Sequence, residues 1–302
     1  MFGSAALLDE LFLALAASLA SYVLYTTCRL YAPPKASALA SLAFSFGTSL
    51  WPFSTALFPH AASLLFLTLA LCAALTYGAG KGGAQSYNWS GYMVAASPGS
   101  VTDVRGSWVV PSLSCTSSSS YVALWVGMDG FTSTTVEQTG ILGECVGGAP
   151  TYVAWYELYP RPMHIISSLA ISAGDVVSAE VSYVGGAFVI SLADLTTGPS
   201  FTTSVKVKSA QRSSVEWIVE ASSSGGGLLP LANFGVAYFG YDYTFQPQTC
   251  YATVNGITGG IGSSVWQVTM VSLSNPSQLK AQPSPLSSDG TSFYVTWLSP
   301  GP

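Results

Sequence analysis

The sequence predicts an all-β protein, an antiparallel β-sandwich or barrel, preceded by an α-helical membrane segment. Three observations predict it. Between Lys35 and Lys81 lie 45 residues with no Asp, Glu, Lys or Arg. From Tyr87 onward the pattern changes to short β-branched and aromatic runs broken by Gly, Ser, Asn and Asp. No segment after Tyr87 repeats its apolar residues at a helical period, so no crossover helices separate the strands.

The first element is apolar. Only Asp9, Glu10, Arg29 and Lys35 carry charge before Lys81. A soluble surface rarely omits charge for so long, whereas lipid-embedded helices do so routinely. The run from Ala5 to Thr27 is long enough for a bilayer span. Arg29 and Lys35 flank a Pro-Pro pair in the following link, which reads as a cytoplasmic loop. Further apolar stretches run from Ala36 to Leu50 and from His60 to Tyr77, joined through the proline- and aromatic-containing segment Trp51–Pro59. A Gly-rich linker, Gly78 to Gly83, follows. Residues 1–83 therefore form a membrane-embedded helical segment with its linker, and residues 84–302 form one β domain. The n-region before the first run holds acids rather than Lys or Arg, which is not the pattern of a cleaved signal peptide.

The β elements follow in order. Ser107–Pro111, Tyr121–Gly127, Thr151–Leu158, Val176–Tyr183, Ala187–Leu192, Thr203–Lys208, Val215–Glu220 and Phe293–Trp297 read as strands. Turn dipeptides stand between them at Asp129-Gly130, Gly185-Gly186, Thr197-Gly198, Asn255-Gly256 and Asp289-Gly290. This domain carries 12 acidic and 6 basic residues and no Lys/Arg run, which excludes a nucleic-acid partner. So few charges leave few carboxylate interactions to lose in acid, and tolerance of low pH follows.

Cysteine and histidine usage narrows the chemistry. Cys115, Cys145 and Cys250 lie in the β domain with no CxxC or Cys/His cluster, so neither a zinc site nor a cofactor is implied. One pair plus one free thiol is the favoured arrangement, with Cys115 joined to Cys145 and Cys250 alone; the alternative is three buried thiols. His164 is the only histidine of the domain, and no GxSxG elbow is present, which leaves little for a Ser-His or Cys-His mechanism. Carboxylates, amides and aromatics remain. Strand alternation puts Tyr121, Ala123, Trp125, Gly127 and Asp129 on one face if that strand runs far enough. It likewise groups Trp155 with Glu157 and Tyr159, and Glu216 with Ile218 and Glu220. Aromatics beside carboxylates on three strands fit a groove for an extended polymer, peptide or polysaccharide.

Six stretches then decide between these. They are Tyr87-Asn-Trp-Ser-Gly-Tyr92, Trp108-Val-Val-Pro111, Trp125-Val-Gly-Met-Asp-Gly130, Val136-Glu-Gln-Thr-Gly140, Ala154-Trp-Tyr-Glu-Leu-Tyr-Pro160 and Glu216-Trp-Ile-Val-Glu220. In this order they resemble the eqolisin, or glutamic peptidase, family over nearly all of Tyr87–Ser299. The resemblance implies a lectin-like sandwich of two antiparallel sheets, one concave, and an endopeptidase acting on protein or peptide in acid. It maps the catalytic pair onto Gln138 and Glu220, and the groove residues onto Trp89, Trp125, Asp129 and Glu157. The implied mechanism has ionised Glu220, near its ordinary value, take a proton from the attacking water and return it to the leaving amine. The Gln138 amide donates to the oxyanion. On this reading the two side chains project from neighbouring strands and hold one water between them.

Two departures stand out. Fungal members often have an acid after the catalytic glutamate, where this chain has Ala221. Only a short linker takes the place of a propeptide. The rival readings are a non-catalytic, lectin-like binding module and a glycoside hydrolase using Glu157 with Glu220. A cytoplasmic Arg29/Lys35 loop and three full spans would leave the domain in the cytoplasm, where neither an acid enzyme nor a disulfide belongs. The expectation is an extracytoplasmic domain, with Ala36–Tyr77 crossing once in net.

Overall fold

The computed structural model describes residues 81–301 except 132, 263 and 264, and upstream of these Tyr22 alone. The chain divides into two units, residues 1–80 and 81–302, and the strands below belong to the second. The expected membrane spans lie outside the described residues. Among the described residues, no helix is long and apolar enough to cross a membrane.

In chain order the strands are β1 (Lys81–Ser86), β2 (Trp89–Ala95), β3 (Val101–Val109), β4 (Ser120–Met128), β5 (Val136–Val146), β6 (Ala149–Tyr159) and β7 (His164–Ile165). They continue with β8 (Val176–Val184), β9 (Ala187–Asp194), β10 (Ser200–Val205), β11 (Ser214–Glu220), β12 (Ser223–Ser224), β13 (Gly227–Leu228), β14 (Val236–Gly240) and β15 (Tyr251–Val254). The last are β16 (Ile257–Gly260), β17 (Val265–Val271), β18 (Leu279–Pro283) and β19 (Ser292–Trp297). A four-residue helix, α1 (Tyr241–Thr244), follows β14. The end of the Gly-rich run is not a free linker: Lys81 to Gly83 open β1, which pairs parallel with β17.

A front layer runs β1-β17-β2-β11-β4-β5-β6-β7, antiparallel after its first pair. A back layer runs β10-β9-β8-β3, and β3 continues on its other side to β14 and β15. From β14 the pairing goes on through β19 to β18, and β18 closes back onto β17. That last pairing makes the two layers one hydrogen-bonded network of 17 strands rather than two separate sheets.

The main core fills the space between the layers. Leu124, Val126, Ile141 and Trp217 of the front meet Trp108, Val177, Phe188, Ile190 and Phe239 of the back, all essentially unexposed. Burying side chains of this size contributes about 1.5–3 kcal/mol each. The back-layer strand β9 alternates buried and half-buried residues along its length. In contrast, β4, β5 and β11 are buried on nearly every residue. Their second face is covered by another apolar cluster, which includes Met93, Ala123, Trp125, Leu142, Trp155 and Ile218. This is the floor of the groove.

Cys115 and Cys145 form a disulfide with Cα atoms 5.3 Å apart. Cys145 belongs to β5, so the bridge ties the segment entering β4 to the far end of β5. Cys250 is a buried free thiol.

Candidate active site

Register decides which side chains meet on the floor. Across the front layer, Gln138 of β5 stands opposite Gly127 of β4 and Glu157 of β6. Glu220, the last residue of β11, stands opposite Ala123 of β4 and Trp89 of β2. β4 therefore separates the strands that carry Gln138 and Glu220; they are not neighbours. The positions between them are small. A Cβ on Gly127 would lie 3.0 Å from both the Gln138 Cβ and the Trp125 ring, and a Cβ on Gly140 would overlap the Leu124 carbonyl. With Gly127, Gly140 and Ala123 on the floor, the long side chains of Gln138 and Glu220 share the space above it.

That space is a groove of about 510 Å³. Gln138, Glu157, Glu220, Trp89, Asn88, Tyr121 and Trp155 are among the residues lining it. Among the described lining residues, the only charged side chains are Glu144, Glu157 and Glu220.

Each polar group of the pair is held. The Gln138 Nε2 donates to Glu157 Oε2 at 2.6 Å, which fixes the amide and leaves its second N–H free of that bond. Both oxygens of Glu220 accept: Trp125 Nε1 donates to Oε2 at 2.7 Å and Asn88 Nδ2 to Oε1 at 3.2 Å. Burial pushes the Glu220 carboxyl up to about 7, against the donors Trp125, Asn88 and Trp89 and with the Glu157 charge adding to the rise. Glu220 is therefore not near its ordinary value. It keeps its proton through most of the acid range, and its ionised form is a minority of greater basicity. Burial likewise raises Glu157, with the Gln138 donor opposing.

Four residues expected to line the groove separate into three roles. Trp89 and Glu157 line it. Trp125 is wholly buried, its ring 5.0 Å from Trp89, and it serves Glu220 from below rather than facing the groove. Asp129 is absent from the groove altogether. β4 ends at Met128, and Asp129 takes a left-handed backbone, φ 70°, which ends the alternation that would have aimed it there. Its carboxylate instead accepts from the backbone N–H of Gln211, Arg212 and Ser213 at 2.7–2.9 Å and from the Ser213 hydroxyl at 3.0 Å. It anchors the loop that leads into β11.

Asn88 was not singled out by the sequence, although it stands in the Tyr87–Tyr92 stretch next to Trp89. Nothing about an Asn before a Trp reveals that its amide reaches a residue 132 positions away.

A family profile described as "Peptidase A4 family" matches residues 87–276, more than half of the chain. The chain belongs to the peptidase A4 family. A4 peptidases such as aspergillopepsin and scytalidopepsin are glutamic endopeptidases. The chain is 33% identical to aspergillopepsin-2 of Aspergillus niger over 180 residues, 51% of this chain and 62% of that protein. It is 31% identical to scytalidopepsin B of Scytalidium lignicola over 202 residues, 62% of this chain and 71% of that protein. The chain thus spans about two thirds of these curated relatives. The crystal structure of scytalido-glutamic peptidase with a transition state analog inhibitor matches at TM-score 0.59 and 26% identity, covering 70% of this chain and 99% of that one. The A4 match begins at residue 87, so β1 and Ser86 precede it, while Asn88, Gln138 and Glu220 fall inside.

Proposed function

We propose that this A4 peptidase domain is an acid-acting endopeptidase in which Glu220 and Gln138 activate one water between them. The observation that carries the reading is the juxtaposition in one groove of a carboxyl with two N–H donors and an amide fixed by a third group. Ionised Glu220 takes a proton from the water as its oxygen attacks the scissile carbonyl carbon. The developing oxyanion accepts the Gln138 N–H that Glu157 leaves free. Glu220 then passes the proton to the amide nitrogen as the C–N bond breaks. A raised value suits a group that must both take and return a proton in weak acid. Glu157 is engaged with Gln138, which speaks against its serving with Glu220 as a carboxylate pair on sugars. The lectin-like reading gives no reason for two donors trained on one glutamate.

Digestion of an unfolded protein in acid tests this. Wild type is expected to cut, Glu220→Gln to give no fragments, and Gln138→Ala to lose about 10²–10³ in turnover. Full activity of Gln138→Ala at unchanged circular dichroism contradicts the reading.

The placement of the domain belongs to the same proposal. We infer that residues 1–83 tether it to a membrane and that it lies on the extracytoplasmic side. The support is the charge-free run of 45 residues and a disulfide, which persists in oxidising compartments. Protease accessibility on intact cells tests it, and a fully protected domain contradicts it.

A further inference from the structure

One of the two donors on the carboxylate proposed as proton carrier comes from a short stretch before β2, and that stretch is itself locked. Ser86 closes β1 and its hydroxyl is a hub. It accepts the backbone N–H of Asn88 at 3.3 Å and of Trp89 at 3.0 Å, and it donates to Asn88 Oδ1 at 3.0 Å. With its oxygen bound there, the Asn88 amide has one orientation left, and its nitrogen points at Glu220 Oε1, 3.2 Å away. The backbone is tied down too, since the Ala221 N–H donates to the Asn88 carbonyl at 2.8 Å. A side-chain amide that could flip would present either a donor or an acceptor; the Ser86 hydroxyl removes the choice.

We infer that Asn88, oriented by Ser86, is the positioning residue that stabilises the proton-accepting form of Glu220. The inference rests on the Glu220/Gln138 reading and goes beyond it, because it gives Asn88 a fixed donor role and extends the site to Ser86, outside the family match. The physical cause is simple. An N–H donor stabilises a carboxylate and not the neutral acid, so its removal makes Glu220 harder to ionise. Trp125 supplies a second donor from beneath, Trp89 a third, and Glu157 is the nearby like charge that opposes them. These are the charged and polar groups named by the surroundings of Glu220, and with Asn88 gone the balance moves toward the protonated acid.

Three variants test it through the pH dependence of peptide cleavage. Asn88→Ala is expected to move the acid limb of kcat/KM up by about one pH unit, the size expected from one hydrogen bond to a charged group. On that limb kcat should fall about tenfold while KM changes less than about twofold. Asn88→Asp keeps the shape but removes the N–H and adds a second carboxyl, so it should move the limb at least as far; packing alone predicts that it behaves like wild type. Ser86→Ala should move the limb the same way by less. Asn88→Asp also remains readable if Asn88→Ala does not fold. Glu220→Gln in the same assay separates the two claims. If it still cleaves, the Glu220 reading itself is wrong. If it is silent and both Asn88 variants keep the wild-type limb, the role of Asn88 alone is overturned.

Discussion

Strand β11 carries two glutamates on one face, four residues apart, and their surroundings differ in every respect that matters to a carboxyl. Glu220 ends the strand, is half-buried, and receives N–H donors from β4 and from the stretch before β2. Glu216 is unexposed, and its carboxyl has beside it only the Ser214 hydroxyl of its own strand, which opposes the rise without reaching full hydrogen-bond geometry. Its surroundings add charge of its own sign, for Asp129 and Glu137 lie within electrostatic reach. Glu137 is equally unexposed, with the Thr135 hydroxyl and the Asp129 carboxyl beside it but neither in full hydrogen-bond geometry. Burial first, then Asp129, pushes Glu137 up to about 8, and burial holds Glu216 well above the carboxylate range. The same side chain on the same strand is thus a proton carrier where donors from other strands meet it and a neutral plug where burial and like charge outweigh a weak donor.

This difference has a cost that depends on pH. The folded values are raised, so the native protein binds more protons than the unfolded chain. Stability is greatest below about 4.5, falls as pH rises, and the contribution is gone by about 8. For Glu137 alone the loss is on the order of 5 kcal/mol, comparable with the whole stability of many domains. The domain should therefore be more stable in acid than near neutrality, an upper pH limit to activity that is independent of Glu220.

Exchanging each glutamate for glutamine has the largest effect: Glu220→Gln should lower cleavage about 10⁴-fold, whereas Glu216→Gln in acid should stay within about threefold. A steady-state assay at one acid pH measures both. Next, Glu137→Gln and Glu216→Gln should raise the pH at which the domain unfolds by at least about one unit, because an amide cannot ionise. Circular dichroism against pH reads it, and an unmoved midpoint would detach the cluster from the neutral limit. Asp129→Ala should destabilise by about 3 kcal/mol by leaving three backbone N–H groups without their acceptor, while Asp129→Glu, too long for the left-handed turn, should recover little. Urea unfolding in acid measures that. Breaking the Cys115–Cys145 bridge with a double serine variant should cost about 2–4 kcal/mol and leave the acid limb of cleavage where it is.

What the sequence made legible follows from local pattern. Strands such as Val176–Tyr183 and Ala187–Leu192 alternate cleanly and lie within β8 and β9. β5, which carries Gln138, shows no such alternation: it is buried on both faces and interrupted by Gly140 and Gly143, so only the motif marked it. Thr203–Lys208 was placed about three residues late because β10 takes in Ser200 and Phe201 and ends at Val205. At the site, Gln138 and Trp89 were legible from the resemblance alone, and Glu157 from alternation together with the resemblance. Asp129 was misplaced because one residue with φ 70° undoes the alternation rule at a strand end. Asn88 was illegible because its partner comes from a strand brought alongside only by the fold. The raised value of Glu220 was missed for the same reason: burial is a tertiary property.

The central claim is that tertiary donors, not the strand, set Glu220 apart from Glu216. Carboxyl-carbon NMR of protein labelled at glutamate, titrated from acid to the onset of unfolding, tests it directly. The Glu216 and Glu220 signals are assigned by their loss in the two glutamine variants. The Glu220 signal should titrate within the folded protein, well above the ordinary glutamate range, and move higher in Asn88→Ala. The Glu216 signal should stay at its protonated position until the fold is lost. A Glu216 signal that titrates near 4.5 in the folded protein, alongside Glu220, would contradict it.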